Sequence, residues 1–372
     1  MKKILLTATV QSHICQFHKP LMKMLKENGY EVHVAARDNL AEKNGLQMEY
    51  ADKVFNIPFD RSPFSFKNIK AYRELSKVLK KYSYDIIHTN TPMGGMVTRL
   101  AANKYRRKGT KVFYTAHGFH FYDGAPKKNW LIYYPIEKSM SRLTDKLITI
   151  NHEDYELAKA KFHCDVYYVH GVGANSDKFY PMSEEERKSI RKEFGYGEKT
   201  KLLLNVGELL PNKNQKTAIL VMKEISKKYP DSKLLIAGNG PELENLKQLI
   251  NDNNLENYVD FLGYTTEINK YMNICDCLIA CSYREGLPLN VMEAMLCGKP
   301  VIASNNRGHR ELINNNINGF IVEPDGADEY AQVFEKTTFL TDDQMSIIET
   351  VMLFSDKNVL SELKSIYSIE EQ

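Results

Sequence analysis

The feature that most restricts this chain is a repeated alternation of short apolar runs and helical segments, gone through twice along its length. In the first half, strands are expected at Ile4–Ala8, Glu31–Ala35, Val54–Ile57, Asp85–Thr89, Lys111–Thr115, Lys146–Ile150 and Val166–Val169. Helices fall between them near 17–28, 65–82, 95–105, 129–141 and 153–162. A second series places strands near 201–206, 233–237, 258–262, 276–281, 300–304 and 319–322, again separated by helices. This pattern packs as a parallel sheet covered by helices on both faces, a doubly wound α/β fold. Between the two series, Gly171-Val-Gly-Ala-Asn-Ser-Asp-Lys-Phe-Tyr-Pro181 is rich in turn formers, as an interdomain linker is. With 372 residues, 43% of them hydrophobic, the chain can build two cores. The expected organisation is a first domain over 1–170, a linker over 171–182, a second domain over 183–345 and a C-terminal segment over 346–372. Two such units facing one another make a cleft, a common place for a small-molecule site.

Open α/β sheets bind ligands beyond the carboxyl ends of their strands. After the run Cys277–Ala280 comes a turn containing Glu285, Gly286, Leu287 and Pro288, then a helix from Leu289 that stops at Gly298. Strand, turn and helix aim backbone N–H groups and a positive dipole end at one point, which suits a phosphate. Glu293 lies on the apolar stripe of Leu289, Met292 and Leu296, where a carboxylate is either paired or functional. The competing reading is a capping Glu285 and a Glu293 satisfied by a neighbouring lysine. Two more turns follow strands of the second series: Gly207 and Glu208 through Lys213, and Gly238-Asn-Gly-Pro-Glu242. A lysine beside a helix start can hold a diphosphate as a point charge.

In the first half, strand ends bring Ser12, His13 and His18, then His88, then His117 and His120. No G-x-G-x-x-G is present, so the nicotinamide-dinucleotide fingerprint is missing. Residues 1–180 carry 29 Lys/Arg against 17 Asp/Glu, and the remainder 21 against 30, so an anionic partner is expected to meet the first half. Arg61, Lys67, Lys70, Arg73, Lys77, Lys80 and Lys81 accompany an apolar side of Phe64, Phe66, Ile69, Tyr72, Leu75 and Leu79. This is either a solvated helix face or a contact with anionic lipid head groups. Nucleic acid is not expected, because no recognised binding motif accompanies the charge. Six cysteines form no disulfide framework and no zinc-ligand spacing, which suits buried thiols in a reducing cytoplasm. The opening Met-Lys-Lys-Ile-Leu-Leu-Thr is read as a strand rather than a signal peptide. No window approaches the roughly 18 apolar residues of a membrane span, so a soluble or peripheral protein is expected.

The spacing Glu285-Gly-Leu-Pro-Leu-Asn-Val-Met-Glu293, continued by Ala-Met-Leu-Cys-Gly-Lys-Pro, resembles the E-x7-E pattern of the family 4 glycosyltransferases, which have the GT-B fold. The linker ending Asp-Lys-Phe-Tyr-Pro and the Gly207–Lys213 turn agree with it. Ser12-His-Ile and Thr115-Ala-His-Gly-Phe-His-Phe are similar to the bacterial exopolysaccharide and capsule branch. The resemblance implies metal-independent, retaining transfer of a hexosyl or N-acetylhexosaminyl group from a nucleotide sugar, usually a UDP-sugar. It needs no cofactor beyond that substrate. The implied acceptor is a polyprenyl-diphosphate-linked saccharide at the inner face of the cell membrane, bound mainly by the first domain.

By the same resemblance, Glu285 contacts sugar hydroxyls and the backbone of Gly286 to Leu289 serves sugar and diphosphate. Glu293 takes the ribose hydroxyls, Lys213 the diphosphate, the turn with Tyr264 and Thr265 the base, and His117 lies beside the donor sugar. The sequence departs from the family at Glu208, where a basic residue is usual, and at Ser12-His13, where a glycine pair is usual. The final helix, within 354–367, is implied to cross back to the first domain. Two other functions share this architecture: a UDP-sugar epimerase, and an inactive partner subunit of another glycosyltransferase.

Overall fold

The computed structural model describes residues 1–42, 46–63, 65–340 and 343–369. Phe64 and Thr341 therefore lie outside the described residues. The chain divides into two compact units, Met1–Val172 with Val359–Gln372, and Gly173–Asn358.

Unit 1 opens with β1 (Lys3–Val10), α1 (Gln11–Phe17), α2 (Lys19–Glu27), β2 (Glu31–Arg37), β3 (Lys53–Asn56) and α3 (Lys67–Lys81). It continues through β4 (Ile86–Asn90), α4 (Pro92–Arg106), β5 (Lys111–Ala116), α5 (Lys127–Ser141), β6 (Lys146–Thr149), α6 (His152–Lys161) and β7 (Asp165–Tyr168). All its strand pairs are parallel, in the order β3-β2-β1-β4-β5-β6-β7. Buried strands of a parallel sheet show apolar residues to both faces. Ile4 and Leu6 pack into a core with Met22 and Leu25, while Leu5 packs on the other side with Leu75, Leu79 and Val97.

The residues after β1 depart from the loop expected there: Gln11–Phe17 is helical and starts directly from the strand. This turns Ser12 inward, where its backbone N–H and its hydroxyl oxygen are both engaged by the Asn39 side chain.

Unit 2 contains α7 (Glu184–Glu193), β8 (Lys201–Val206), α8 (Gln215–Lys228), β9 (Ser232–Ala237), α9 (Leu243–Asp252), β10 (Val259–Gly263) and α10 (Ile268–Ile274). After these come β11 (Cys277–Ala280), α11 (Leu289–Leu296), β12 (Val301–Ser304), α12 (Arg307–Leu312), β13 (Gly319–Val322), α13 (Ala327–Leu340) and α14 (Gln344–Val351). Its parallel sheet runs β10-β9-β8-β11-β12-β13. The last helix, α15 (Asp356–Tyr367), belongs to unit 1 from Val359 onward. There Tyr367 is buried, and its hydroxyl meets His88 Nδ1 while Thr115 Oγ1 meets His88 Nε2. His88 is thereby a structural anchor for the C-terminal helix. All six cysteines are free thiols. No helix among the described residues is long and apolar enough to cross a membrane.

One ion pair sits inside unit 1 with almost no exposure. Arg99 of α4 reaches Glu137 of α5 at 2.9 Å, bonds the Gly95 carbonyl at 3.0 Å and lies 4.1 Å from the Tyr114 ring centre. Removing one partner of a buried pair strands the other charge and costs about 3–5 kcal/mol. Arg99→Met is expected to lower stability by about that amount in urea unfolding, and adding Glu137→Gln should recover most of it.

Candidate active site

In each sheet the strand order reverses next to its first strand: between β1 and β4 in unit 1, and between β8 and β11 in unit 2. At such a switch point the following loops diverge and leave a crevice. In unit 2 the two loops are laced together. Tyr283 donates its backbone N–H to the Asn212 carbonyl at 2.9 Å, and Asn212 Nδ2 donates to the Arg284 carbonyl at 3.0 Å. Asn290 Nδ2, at the start of α11, donates to the Val206 carbonyl at 2.8 Å and holds that helix beside β8.

Lys213 ends a short 3-10 turn, Pro211–Lys213, and Asn214 follows in the left-handed region at φ 52°. Asn tolerates that conformation better than most residues, and its side chain bonds the Pro324 carbonyl at 3.1 Å. The lysine stem runs over Gly207, and its ammonium lies 2.6 Å from Glu285 Oε1. The two residues expected to grip diphosphate and sugar are therefore paired with each other. Both remain partly exposed, with side-chain exposures of 28% and 15%.

Glu293 behaves differently. It lies on α11, half-buried, and its carboxyl makes no hydrogen bond or ion pair with any described residue. Burial pushes its carboxyl up to about 8, opposed only in part by the charge of Lys178. The Lys178 ammonium donates to the Thr266 carbonyl instead. The lysine-satisfied Glu293 of the competing reading is therefore not what the fold builds.

Gly286, Leu287 and Pro288 form the turn before α11, and Leu289 is its first residue. Gly308 of α12 packs on this turn: a Cβ there would stand 2.9 Å from both Glu285 Cβ and the Gly286 oxygen. Sequence reasoning passed over Gly308 and its neighbour His309. His309 is fully buried, with Nδ1 at 2.7 Å from the Ser304 carbonyl and Nε2 without a partner. Burial holds it below the usual imidazole range, against the pull of Glu285, whose charge it feels. A histidine three residues after the helix-capping Asn306, just beyond a strand, was the available signal.

The turn at Gly238 has a different use from the phosphate site expected. Its amide donates to the Gly263 carbonyl, and a Cβ at φ +139° would stand 1.9 Å from the Gly207 oxygen. The Leu209 amide donates to the Asn239 carbonyl and the Glu242 amide to the Leu209 carbonyl across the same two turns. Gly238 thus lets one loop lie against the other. Glu208 is exposed, its carbonyl accepting from Gln215, while Tyr264 is exposed and Thr265 Oγ1 accepts the Glu267 amide.

In unit 1, α1 and the loop after β5 bring histidines together. His13 Nε2 and His117 Nε2 are 3.3 Å apart, and the His18 ring lies 5.5 Å from that of His117. Burial lowers all three, His117 to about 4, so at neutral pH they are uncharged with lone pairs available. Among the described residues these three alone form a group whose donor atoms, within 4.8 Å of one another, could hold a cation.

Two doubly wound parallel sheets in succession are the architecture of the GT-B glycosyltransferases. The solved sucrose-phosphate synthase from Thermosynechococcus elongatus shares it at a TM-score of 0.77 and 18% identity, covering 99% of this chain and 98% of that one. The family model described as Glycosyl transferases group 1 matches residues 186–349, and that described as Glycosyl transferase 4-like matches residues 3–151. EpsD of Bacillus subtilis (strain 168), named as a glycosyltransferase, is 41% identical over 99% of this chain and 96% of its own length. A UDP-Gal:alpha-D-GlcNAc-diphosphoundecaprenol alpha-1,3-galactosyltransferase of Escherichia coli is 29% identical over 80% of this chain and 79% of its own. The chain belongs to the family 4 glycosyltransferases, in the branch that includes EpsD.

The state of Glu293 has a measurable consequence. Its folded-state pKa near 8 exceeds the ordinary 4.5, so its contribution favours folding at low pH and is lost as pH rises through about 8. Glu293→Gln is expected to melt a few degrees above the parent at pH 8, with the gap shrinking toward pH 5 in thermal unfolding scans.

Proposed function

We propose that the chain is a retaining, metal-independent glycosyltransferase that moves a hexosyl or N-acetylhexosaminyl group from a UDP-sugar to a polyprenyl-diphosphate-linked saccharide. The setting is the cytoplasmic face of the membrane, where the protein acts peripherally in exopolysaccharide or capsule assembly. One observation carries the reading: Lys213 and Glu285 are joined across the switch point of the second sheet, at the turn before the helix that carries Glu293, whose carboxyl bonds no described residue. The diphosphoundecaprenol acceptor named for the Escherichia coli relative supports the acceptor class, and its UDP-Gal donor supports the nucleotide.

The pair acts as an exchangeable contact. A donor diphosphate takes the Lys213 ammonium from Glu285, and the released carboxylate accepts hydrogen bonds from sugar hydroxyls. Amides of the Gly286–Leu289 turn and the start of α11 add partial positive charge where the leaving group develops negative charge. Glu293 meets the ribose diol, whose hydroxyls give its carboxyl the hydrogen bonds that no described residue supplies. The anomeric carbon–oxygen bond to diphosphate breaks, with UDP leaving with the electron pair. The acceptor hydroxyl oxygen bonds the same face of that carbon and passes its proton to the departing phosphate oxygen. No protein nucleophile is used, and His117 acts as a neutral hydrogen-bonding group toward the sugar.

Glu285→Ala is expected to reduce turnover more than a hundredfold with the circular dichroism spectrum unchanged. Lys213→Met should chiefly raise KM for the nucleotide sugar. The assay is UDP release together with the label found in the lipid product. Interconverted UDP-sugars would instead identify an epimerase, and no UDP from any donor an inactive partner subunit.

A further inference from the structure

The first unit carries two adjoining hollows that the reaction above does not use. The outer one, about 350 Å³, lies between α3 and α4 and is walled by Phe66, Ile69, Tyr72, Met96 and Leu100. Its rim is apolar yet open to solvent: Phe66 is 85% exposed, Ile69 51% and Leu100 42%. An exposed cluster of large apolar groups on one face marks a contact surface. The inner hollow, about 270 Å³, shares Pro63 and Met96 with the outer one and reaches Arg61, Thr91, His13 and His120. It sits at the switch point of the first sheet, over the ends of β1 and β4.

Charge follows the same direction. Arg61 has no partner among the described residues, although its charge is felt at His13. Glu137, the carboxylate that also lines the inner hollow, is committed to Arg99. Farther along α3, beyond the residues that wall the outer hollow, Arg73, Lys77 and Lys80 are exposed without acidic partners among the described residues. Thr91 is held at φ 67°, rare for a β-branched residue, by bonds of its hydroxyl to Thr9. Strain of this kind is retained where the surroundings enforce it, and it clusters at binding sites.

An apolar trough leading to an unneutralised guanidinium and then to a histidine cluster fits an amphipathic anion with the tail outward. We propose that the two hollows form one path for the lipid end of the acceptor. The isoprene units next to the diphosphate lie between α3 and α4 against Ile69, Met96 and Leu100. The diphosphate comes to Arg61, and the saccharide is presented toward His13. This rests on the reading that the acceptor is a polyprenyl-diphosphate-linked saccharide.

The test compares two acceptors in detergent that carry the same saccharide diphosphate on a long polyprenyl chain or on a short alkyl chain. The parent should have a lower KM for the long one. Ile69→Gln/Leu100→Gln is expected to remove about tenfold of that preference. Arg61→Ala should raise KM about tenfold for both diphosphates, but not for an alkyl glycoside lacking diphosphate. Unchanged KM values in folded variants overturn the path while leaving the transferase reading intact. So does a double variant that loses only binding to phosphatidylglycerol vesicles free of acceptor, because the patch would then be a bilayer contact. A parent that uses no polyprenyl-diphosphate acceptor, yet releases UDP onto other saccharides, overturns the path and the acceptor reading together.

Discussion

A lysine and a glutamate from loops that leave neighbouring strands in opposite directions meet at 2.6 Å in unit 2, and the arrangement around them depends on that meeting. Adjacent parallel strands whose connections run to opposite sides of the sheet leave a gap above their ends. A backbone bond from Tyr283 to Asn212 and a bond from the Asn212 side chain to the Arg284 carbonyl keep that gap narrow enough for an ammonium to span it. Gly308 then closes one wall, and the Gly207–Gly238 approach closes another.

Two of the ion pairs have similar chemistry and opposite surroundings. Arg99 and Glu137 are almost wholly enclosed, with a guanidinium geometry completed by a carbonyl and an aromatic face, so the pair is permanent. Lys213 and Glu285 are only partly enclosed, so water reaches the pair. Burial therefore separates the enclosed pair from the one that solvent can reach.

The two switch points also differ in character. The second holds a cation and a carboxylate paired with each other, and on the helix that follows an acid whose carboxyl has no bonding partner among the described residues. The first offers uncharged histidines, held neutral by burial, beside an arginine and an apolar trough. The uneven charge along the chain, 29 basic to 17 acidic residues before position 181, is concentrated in part on α3, beside that trough.

Much of the frame was legible from residue order alone. Period and punctuation located most of the strands and helices, because buried parallel strands are continuous apolar runs and glycine or proline marks their ends. The Glu285–Glu293 spacing, the strand-end lysine and the histidines of the first half could be named in advance for the same reason. What residue order could not supply was partnership. That Lys213 bonds Glu285, that the Glu293 carboxyl bonds no described residue, that the Gly238 amide is taken by Gly263 and that Gln11–Phe17 is a helix all depend on where distant segments settle. Gly308 was invisible for that reason, since the turn it packs on lies more than twenty residues away in the chain; His309 carried a local signal in the capping Asn306, but the charge of Glu285 reaches it only through packing. Local sequence determines which elements form and what chemistry each carries. Tertiary structure decides which charges are neutralised and which are left for a ligand, because burial and distance belong to the folded whole.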